Sequence, residues 1–124
     1  EAQMMLGTIY YMGKEVPQDY KEAVKWNRLA AEQGFAEAQN NLGDMYKRGT
    51  EVSQDYKEAI KWYRFAADQG DCYAQYKLGI MYTFGNGVPR DDQEAVKWWK
   101  LSAEQGYVEA QRKLDLLSKN FLTK

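Results

Sequence analysis

The sequence predicts an all-α protein, an α-solenoid of about three and a half copies of a 36-residue helix–turn–helix unit. Two observations support this prediction. The same residue types recur at a fixed interval along the chain, and each interval contains two proline-free stretches that are separated by glycine. A fixed period of this length is typical of stacked helical units in which each repeat contacts only its neighbours.

The recurrence is visible when the sequence is written in rows of 36 residues. Small, apolar, aromatic and glycine positions then fall into columns: Ala2, Ala38, Ala74 and Ala110; Leu6, Leu42, Leu78 and Leu114; Gly7, Gly43 and Gly79; Tyr10, Tyr46 and Tyr82; Gly13, Gly49 and Gly85; Trp26, Trp62 and Trp98; Gly34, Gly70 and Gly106. We therefore expect a single solenoid domain over 1–124, with repeats at 2–37, 38–73 and 74–109. A last helix at 108–122 is expected to cap the array.

Each unit is predicted to contain two helices. Helix A runs from about Ala2 to Met12 and stops before a glycine, which can adopt the left-handed conformation that ends helices. Helix B begins at Asp19, a residue type that accepts hydrogen bonds from the first backbone N–H groups of a helix. Glu22 follows three residues later, which predicts a reciprocal capping box. The same pairing recurs at Asp55 with Glu58 and at Asp91 with Glu94.

Composition excludes several classes of function. The net charge of −1 lacks the basic excess of a nucleic-acid-binding protein, and no apolar run approaches the roughly 18 residues of a membrane span. The chain has no histidine, the commonest general base and metal ligand, and a single cysteine, Cys72. Gly85 and Gly87 flank a helix end without a preceding strand, so they do not predict a phosphate-binding loop. We therefore expect no enzyme activity, no metal and no cofactor.

The repeated columns resemble the Sel-1-like repeat family, relatives of the tetratricopeptide solenoids. Its pattern, A-x-x-x-L-G-x-x-Y-x-x-G-x-G-V-x-x-D-x-x-x-A-x-x-W-x-x-x-A-A-x-x-G, is matched at nearly every fixed position across residues 2–109. Glu15 and Glu51 replace the second loop glycine, Ser102 replaces one alanine, and the paired cysteines of the cysteine-rich Helicobacter subgroup are absent. The resemblance implies a right-handed α/α superhelix whose A helices line a concave surface. It also implies an adaptor role, and many bacterial members are periplasmic or secreted.

One face of helix A changes its chemistry in every repeat, whereas a stacking surface has to repeat. We predict that this face forms a groove for a protein or peptide partner, anchored by Tyr76 and Phe84. Cationic side chains outnumber Asp44 on it, so a ligand with apolar side chains and an acidic flank is expected. The predicted groove comprises Met4, Thr8, Tyr11, Met12, Asn40, Asp44, Lys47, Arg48, Tyr76, Lys77, Ile80, Thr83, Phe84, Arg112 and Lys119.

Other readings stay open at this point. The variable positions can be plain solvent positions, and the lysines of helix B can be a solvated outer face or a basic ridge for an anionic surface. Trp62, in the middle repeat, is expected to be the most buried of its column, and Trp99 can be core or ligand platform. Alternative functions are β-lactam binding or hydrolysis, as in the cysteine-rich relatives, and a structural piece of a longer array. End-to-end self-association through Met5 or Ile9 is a further expectation.

Overall fold

The computed structural model describes residues 20–49 and 52–122, and six α-helices follow one another within these ranges. They are α1 (Tyr20–Glu32), α2 (Ala36–Arg48), α3 (Tyr56–Asp68), α4 (Cys72–Phe84), α5 (Asp92–Glu104) and α6 (Val108–Leu122). Each helix packs chiefly on its neighbours along the chain, which is the contact pattern of a solenoid. The all-α prediction is confirmed, with α2, α4 and α6 as A helices and α1, α3 and α5 as B helices. Every helix in these ranges is too short or too polar to cross a bilayer.

The A helices end where the glycine columns predict. Gly49 and Gly85 follow α2 and α4 with φ of 78° and 68°, and their N–H groups donate to the carbonyl oxygens of Met45 and Met81. A side chain in this left-handed region is strained, so glycine is the favoured residue there. At the other end, α2 and α4 begin at residues 36 and 72, two residues before the alanines that open the rows of the repeat.

The B helices begin at the predicted aspartates, but the reciprocal capping box is wrong for α3 and α5. Asp55 accepts two backbone N–H groups of the first turn of α3, as Asp91 does for α5. The N–H that a capping glutamate would accept is already used, since Asp55 donates it to the Tyr46 carbonyl oxygen at 2.9 Å and Asp91 to that of Tyr82 at 3.0 Å. Glu58 instead pairs with Lys61. Asp55 and Asp91 therefore tie α3 and α5 to the last turn of the preceding A helix, whereas the predicted cap Asp19 lies outside the described residues.

A second glycine column allows close helix packing. A Cβ on Gly43 would lie 2.7 Å from two ring carbons of Tyr63, and a Cβ on Gly79 would lie 2.2 Å from Nε1 of Trp99. Both aromatic residues are on the B helix that follows in the same repeat. Glycine is thus required in the middle of α2 and α4, against its poor helix propensity, because an aromatic ring occupies the space of its side chain.

The repeated apolar columns form the buried core. Leu42 and Leu78 are fully buried, as are the alanines of their faces at 38, 74 and 110. Trp62 and Trp98 are each 6% exposed and Trp26 is partly buried, so Trp62 is more buried than Trp26 but not, as expected, more buried than Trp98. The middle position confers no advantage over Trp98 because both rings pack into buried clusters with the A helix of their own repeat, Trp62 with Leu42 and Met45 and Trp98 with Leu78 and Met81.

Two buried glutamines join adjacent repeats by hydrogen bonds. Gln39 donates from Nε2 to the carbonyl oxygen of Ala31 in the preceding B helix, and its Oε1 accepts from Nε2 of Gln69 at 2.8 Å. The pattern recurs 36 residues later, where Gln75 donates to Ala67 and accepts from Gln105 at 2.8 Å. Each glutamine therefore connects an A helix to the B helices on both sides of it. A buried amide satisfied in this way fixes the register of the stack.

Candidate functional site

The structure distributes the predicted groove residues over buried, intermediate and exposed positions. Asn40 and Asp44 are each only 9% exposed, so the expectation that their face points away from packing is wrong for these two. For Asp44 the cause is the next A helix, which reaches over it with Lys77. Met4, Thr8, Tyr11 and Met12 lie outside the described residues, as do Met5 and Ile9 of the expected self-association. Lys47, Tyr76, Lys77, Ile80 and Thr83 are partly buried, and Arg48, Phe84, Arg112 and Lys119 are exposed.

One set of equivalent positions brings together an A helix, the B helix of the same repeat and the next A helix. We call each such place an inter-repeat junction. The second junction consists of Asp44, Tyr63 and Lys77, and the third consists of Ile80, Trp99 and Lys113, each residue 36 positions further on. The first junction includes Asn27 and Asn41. The junctions occupy equivalent positions in the sequence, but their side chains differ in chemistry.

In the first junction the described residues form an amide pair, and Thr8, which is equivalent to Asp44, lies outside the described residues. Asn41 donates from Nδ2 to Oδ1 of Asn27 at 3.3 Å, and the fully buried Asn27 donates to the carbonyl oxygen of Ala23 at 2.9 Å. These bonds satisfy the buried side chain of Asn27 within the protein. This junction therefore holds α1 against α2 without a net charge.

The second junction is a charged triad. The Tyr63 hydroxyl donates to Oδ1 of Asp44 at 2.5 Å, and Nζ of Lys77 lies 2.8 Å from both carboxylate oxygens. Lys47 stands beside the triad, and burial lowers the pKa of its ammonium, an effect that Asp44 opposes and Lys77 reinforces. Because Asp44 and Lys77 neutralise each other, this junction offers a ligand less positive charge than the count of lysines predicts.

The third junction is apolar and open. A cavity of about 140 Å³ lies between α4 and α6, with Trp99 of α5 in its lining. The indole is only 2% exposed and donates from Nε1 to the Tyr76 carbonyl oxygen at 3.1 Å, so Trp99 is a fixed core residue beneath the cavity. Phe84 and Leu116 stand at the rim, 71% and 55% exposed. The full lining is Ile80, Thr83, Phe84, Trp99, Lys113, Leu116 and Leu117.

The two predicted anchors differ in how much of their surface is available. Tyr76 packs its ring edge against Tyr107, with centroids 5.1 Å apart, and Tyr107 also contacts Tyr73 at 4.9 Å. Burial raises the pKa of Tyr76 and of Tyr107, and Glu109 adds to both shifts. Tyr76 is thus partly committed to packing, whereas Phe84 projects into solvent. A large exposed aromatic side chain beside a cavity is typical of an interaction site.

The lysines of the B helices have a structural role. Lys25, Lys61 and Lys97 lie over the rings of the tryptophans that follow them, with Nζ to centroid distances of 5.5, 5.0 and 5.7 Å. Arg64 likewise lies over Trp98 and donates to the Tyr82 hydroxyl at 2.8 Å. These contacts favour the reading of a solvated face whose long stems cover apolar surface.

Sequence reasoning missed Lys113 and Leu117 in the lining of the cavity. A signal for Lys113 was present, because lysine recurs at positions 77 and 113 while its partner column changes from Asp44 to Ile80. Reading that signal requires knowing that residues 33 apart, on successive A helices, face each other. A helical-wheel projection of a single helix does not contain this information.

Within residues 20–49 and 52–122, no group of histidine, cysteine and acidic side chains is arranged to hold a metal ion.

Comparison with known proteins gives a consistent picture. A profile of the Sel1 repeat matches residues 1–35, 36–71 and 72–107. A protective antigen of uropathogenic Escherichia coli with an SLR fold shares 44% identity and a TM-score of 0.89, over 91% of this chain and 24% of that chain. A Sel1 repeat protein from Oxalobacter formigenes shares 40% identity and a TM-score of 0.87, over 93% of this chain and 47% of that one. The chain thus spans about a quarter and about half of their lengths.

A more distant neighbour is cysteine rich protein B of Helicobacter pylori, with 21% identity and a TM-score of 0.73 over 88% of this chain and 89% of that one. At this identity the likeness supports the fold alone. No curated protein sequence matches the chain. Sel1 repeat proteins generally mediate protein–protein interactions and are generally non-catalytic scaffolds. The three profile matches and the two neighbours at 40% identity or more establish that this chain belongs to the Sel1 repeat family.

Proposed function

We propose that this chain binds a segment of a partner protein along its A helices, across the second and third junctions. The observation that supports the proposal is the contrast between columns. The packing columns keep their residue types in each repeat, whereas the junctions carry an amide pair, a charged triad and an open apolar cavity. Each junction stands at the same place in the helix order, so a change of fold does not account for this variation. Recognition of an irregular ligand does require it.

The exposed aromatic residue at the third junction is the strongest expected contact. Phe84 is the most exposed of the large apolar side chains in the described residues, and it stands on the rim of the cavity. A rigid aromatic side chain can bury a large area at a small cost in side-chain entropy. The predicted ligand is a helical or extended segment with apolar side chains, bound with a Kd of roughly micromolar order.

Peptide selection tests this proposal. The protein would be immobilised and challenged with a phage-displayed random peptide library, and the selected peptides synthesised and their affinities measured by fluorescence anisotropy. Phe84→Ala should weaken binding by about 1–3 kcal/mol and leave the far-ultraviolet circular dichroism unchanged, because the side chain is largely exposed.

Lysines of the B-helix face supply the matched controls. Lys25→Ala and Lys61→Ala should leave peptide affinity nearly unchanged, since their side chains lie over tryptophan rings and neither lines the cavity of the third junction. If these two variants abolish binding while Phe84→Ala does not, the partner binds the opposite face and the proposal is wrong.

A further inference from the structure

Lys113 occupies the position of Lys77 without the acidic partner that Lys77 has. In the second junction, Nζ of Lys77 lies 2.8 Å from both oxygens of Asp44. In the third junction the residue equivalent to Asp44 is Ile80, and no carboxylate of residues 20–49 or 52–122 lies within ion-pair distance of Lys113. The nearby acids of α6 are otherwise engaged, Glu109 with Arg112 and Asp115 with Gln111.

The surroundings of Lys113 make an anionic partner favourable. Its side chain is partly buried and lines a cavity whose other walls are chiefly apolar. A cation next to apolar surface has lost part of its hydration, and a carboxylate that approaches there gains more than it would in bulk water. Repeat two supplies the carboxylate from its own chain as Asp44, whereas repeat three has Ile80 at that position, so a carboxylate for Lys113 has to come from a ligand.

The size of the cavity limits the neighbouring group. Its volume of about 140 Å³ is close to that of an engineered apolar cavity of about 150 Å³ that binds benzene. A side chain the size of leucine or phenylalanine fits such a space. Ile80, Phe84 and Leu116 provide apolar contact on either side of it.

We infer that the third junction binds a partner segment in which an apolar side chain stands next to a carboxylate. The apolar side chain enters the cavity between α4 and α6, and the carboxylate pairs with Nζ of Lys113 as Asp44 pairs with Lys77. This inference rests on the proposed function and specifies the chemistry of its ligand. It assigns Lys113 as the residue that selects acidic over neutral segments.

The second junction provides the design of the test. Ile80→Asp places an internal carboxylate opposite Lys113, as Asp44 stands opposite Lys77, and should therefore compete with the ligand. The probes are the peptides selected from the random phage library on the wild-type protein. We expect them to be enriched in apolar–acidic pairs and to lose affinity about ten- to hundredfold on Ile80→Asp, the range of a charge-assisted hydrogen bond.

Controls separate charge from polarity and from misfolding. Ile80→Asn introduces a similar polar group without charge and should cost less affinity than Ile80→Asp. Lys113→Met keeps an unbranched side chain of similar length and should also weaken binding about tenfold, while Lys113→Arg should retain most of it. If Ile80→Asp fails to fold, the double variant Ile80→Asp with Trp99→Tyr copies all three residues of the second junction.

The outcomes distinguish this inference from the proposal beneath it. Selected peptides that depend on Phe84 but tolerate Ile80→Asp and Lys113→Met would overturn the role of Lys113 and leave the binding face intact. Equal affinity for a peptide and its variant with the acidic residue changed to the amide would do the same. Failure to select any peptide whose binding depends on Phe84 would overturn both. Loss of affinity with Ile80→Asp and Lys113→Met, together with weaker binding at high salt, supports the inference.

Discussion

Replacing Gly79 by alanine should stabilise α4 through helix propensity and destabilise its packing. The sign of the change in the free energy of unfolding shows which effect is larger. In an exposed helix, glycine to alanine stabilises by up to about 1 kcal/mol. Here the new Cβ would lie 2.2 Å from Nε1 and 2.5 Å from Cδ1 of Trp99. The indole is 2% exposed and its N–H is bonded to the Tyr76 carbonyl oxygen, so the ring cannot move away without loss.

The expected magnitude follows from these contacts. Overpacking a buried site costs about 1–3 kcal/mol, and disturbing the indole hydrogen bond costs about 1 kcal/mol more. Subtracting the gain in helix propensity leaves a net loss of about 1–3 kcal/mol in the free energy of unfolding. Gly43→Ala should act in the same direction with a smaller effect, because its contacts with the Tyr63 ring are longer, at 2.7 Å.

Urea unfolding followed by circular dichroism measures this loss. The matched control is Gly79→Ala in a Trp99→Leu background, where the ring is gone and the alanine should be neutral or stabilising. A Gly79→Ala protein as stable as the wild type would refute the argument. An equal loss of stability in the Trp99→Leu background would also refute it, since the cost would then not come from the indole.

Two further predictions concern stability. Trp62→Ala should lower the free energy of unfolding by about 3–5 kcal/mol, because the ring is 6% exposed and packs with Leu42 and Met45; a urea midpoint that corresponds to less than about 1 kcal/mol would show that it is not core. The pKa of Tyr107 is raised by burial first and by Tyr73 next, so the folded state favours the neutral hydroxyl. The contribution of this group to the free energy of unfolding is therefore fully present below the ordinary tyrosine pKa near 10 and is lost as the pH rises above it. The urea midpoint should therefore fall less steeply between pH 9 and 11 in Tyr107→Phe than in the wild type, and parallel curves would contradict this.

The fold was readable from the sequence because each repeated column reports one local requirement. Gly49 and Gly85 mark left-handed helix ends, and Leu42 and Leu78 mark the buried stripe of an A helix. These requirements depend on residues a few positions away in the same helix, so they can be recognised from one sequence. The recurrence of Gly43 and Gly79 in one column was visible as well, although their aromatic partners were not.

The site was less readable because it depends on contacts between repeats. A helical-wheel projection of α2 places Asp44 on the face that was expected to be exposed, yet Lys77 of α4 covers it. The capping box failed for the same kind of reason, since the Asp55 N–H bonds to Tyr46 of another helix. Periodicity predicts which residues of a helix face the core. It does not predict which residues of successive A helices meet each other.

The composition of the junctions bears on how specificity could be moved between arrays of this family. The apolar cavity takes residues from α4, α5 and α6, so it is completed only by the A helix of the following unit. A graft of residues 72–107 alone would therefore carry Trp99 and Phe84 but omit Lys113, Leu116 and Leu117. The transplantable element is instead the three-helix stretch 72–122. The glutamine bonds at its leading edge, through Gln75, would dock it onto any host repeat that presents a free backbone carbonyl at the position of Ala67.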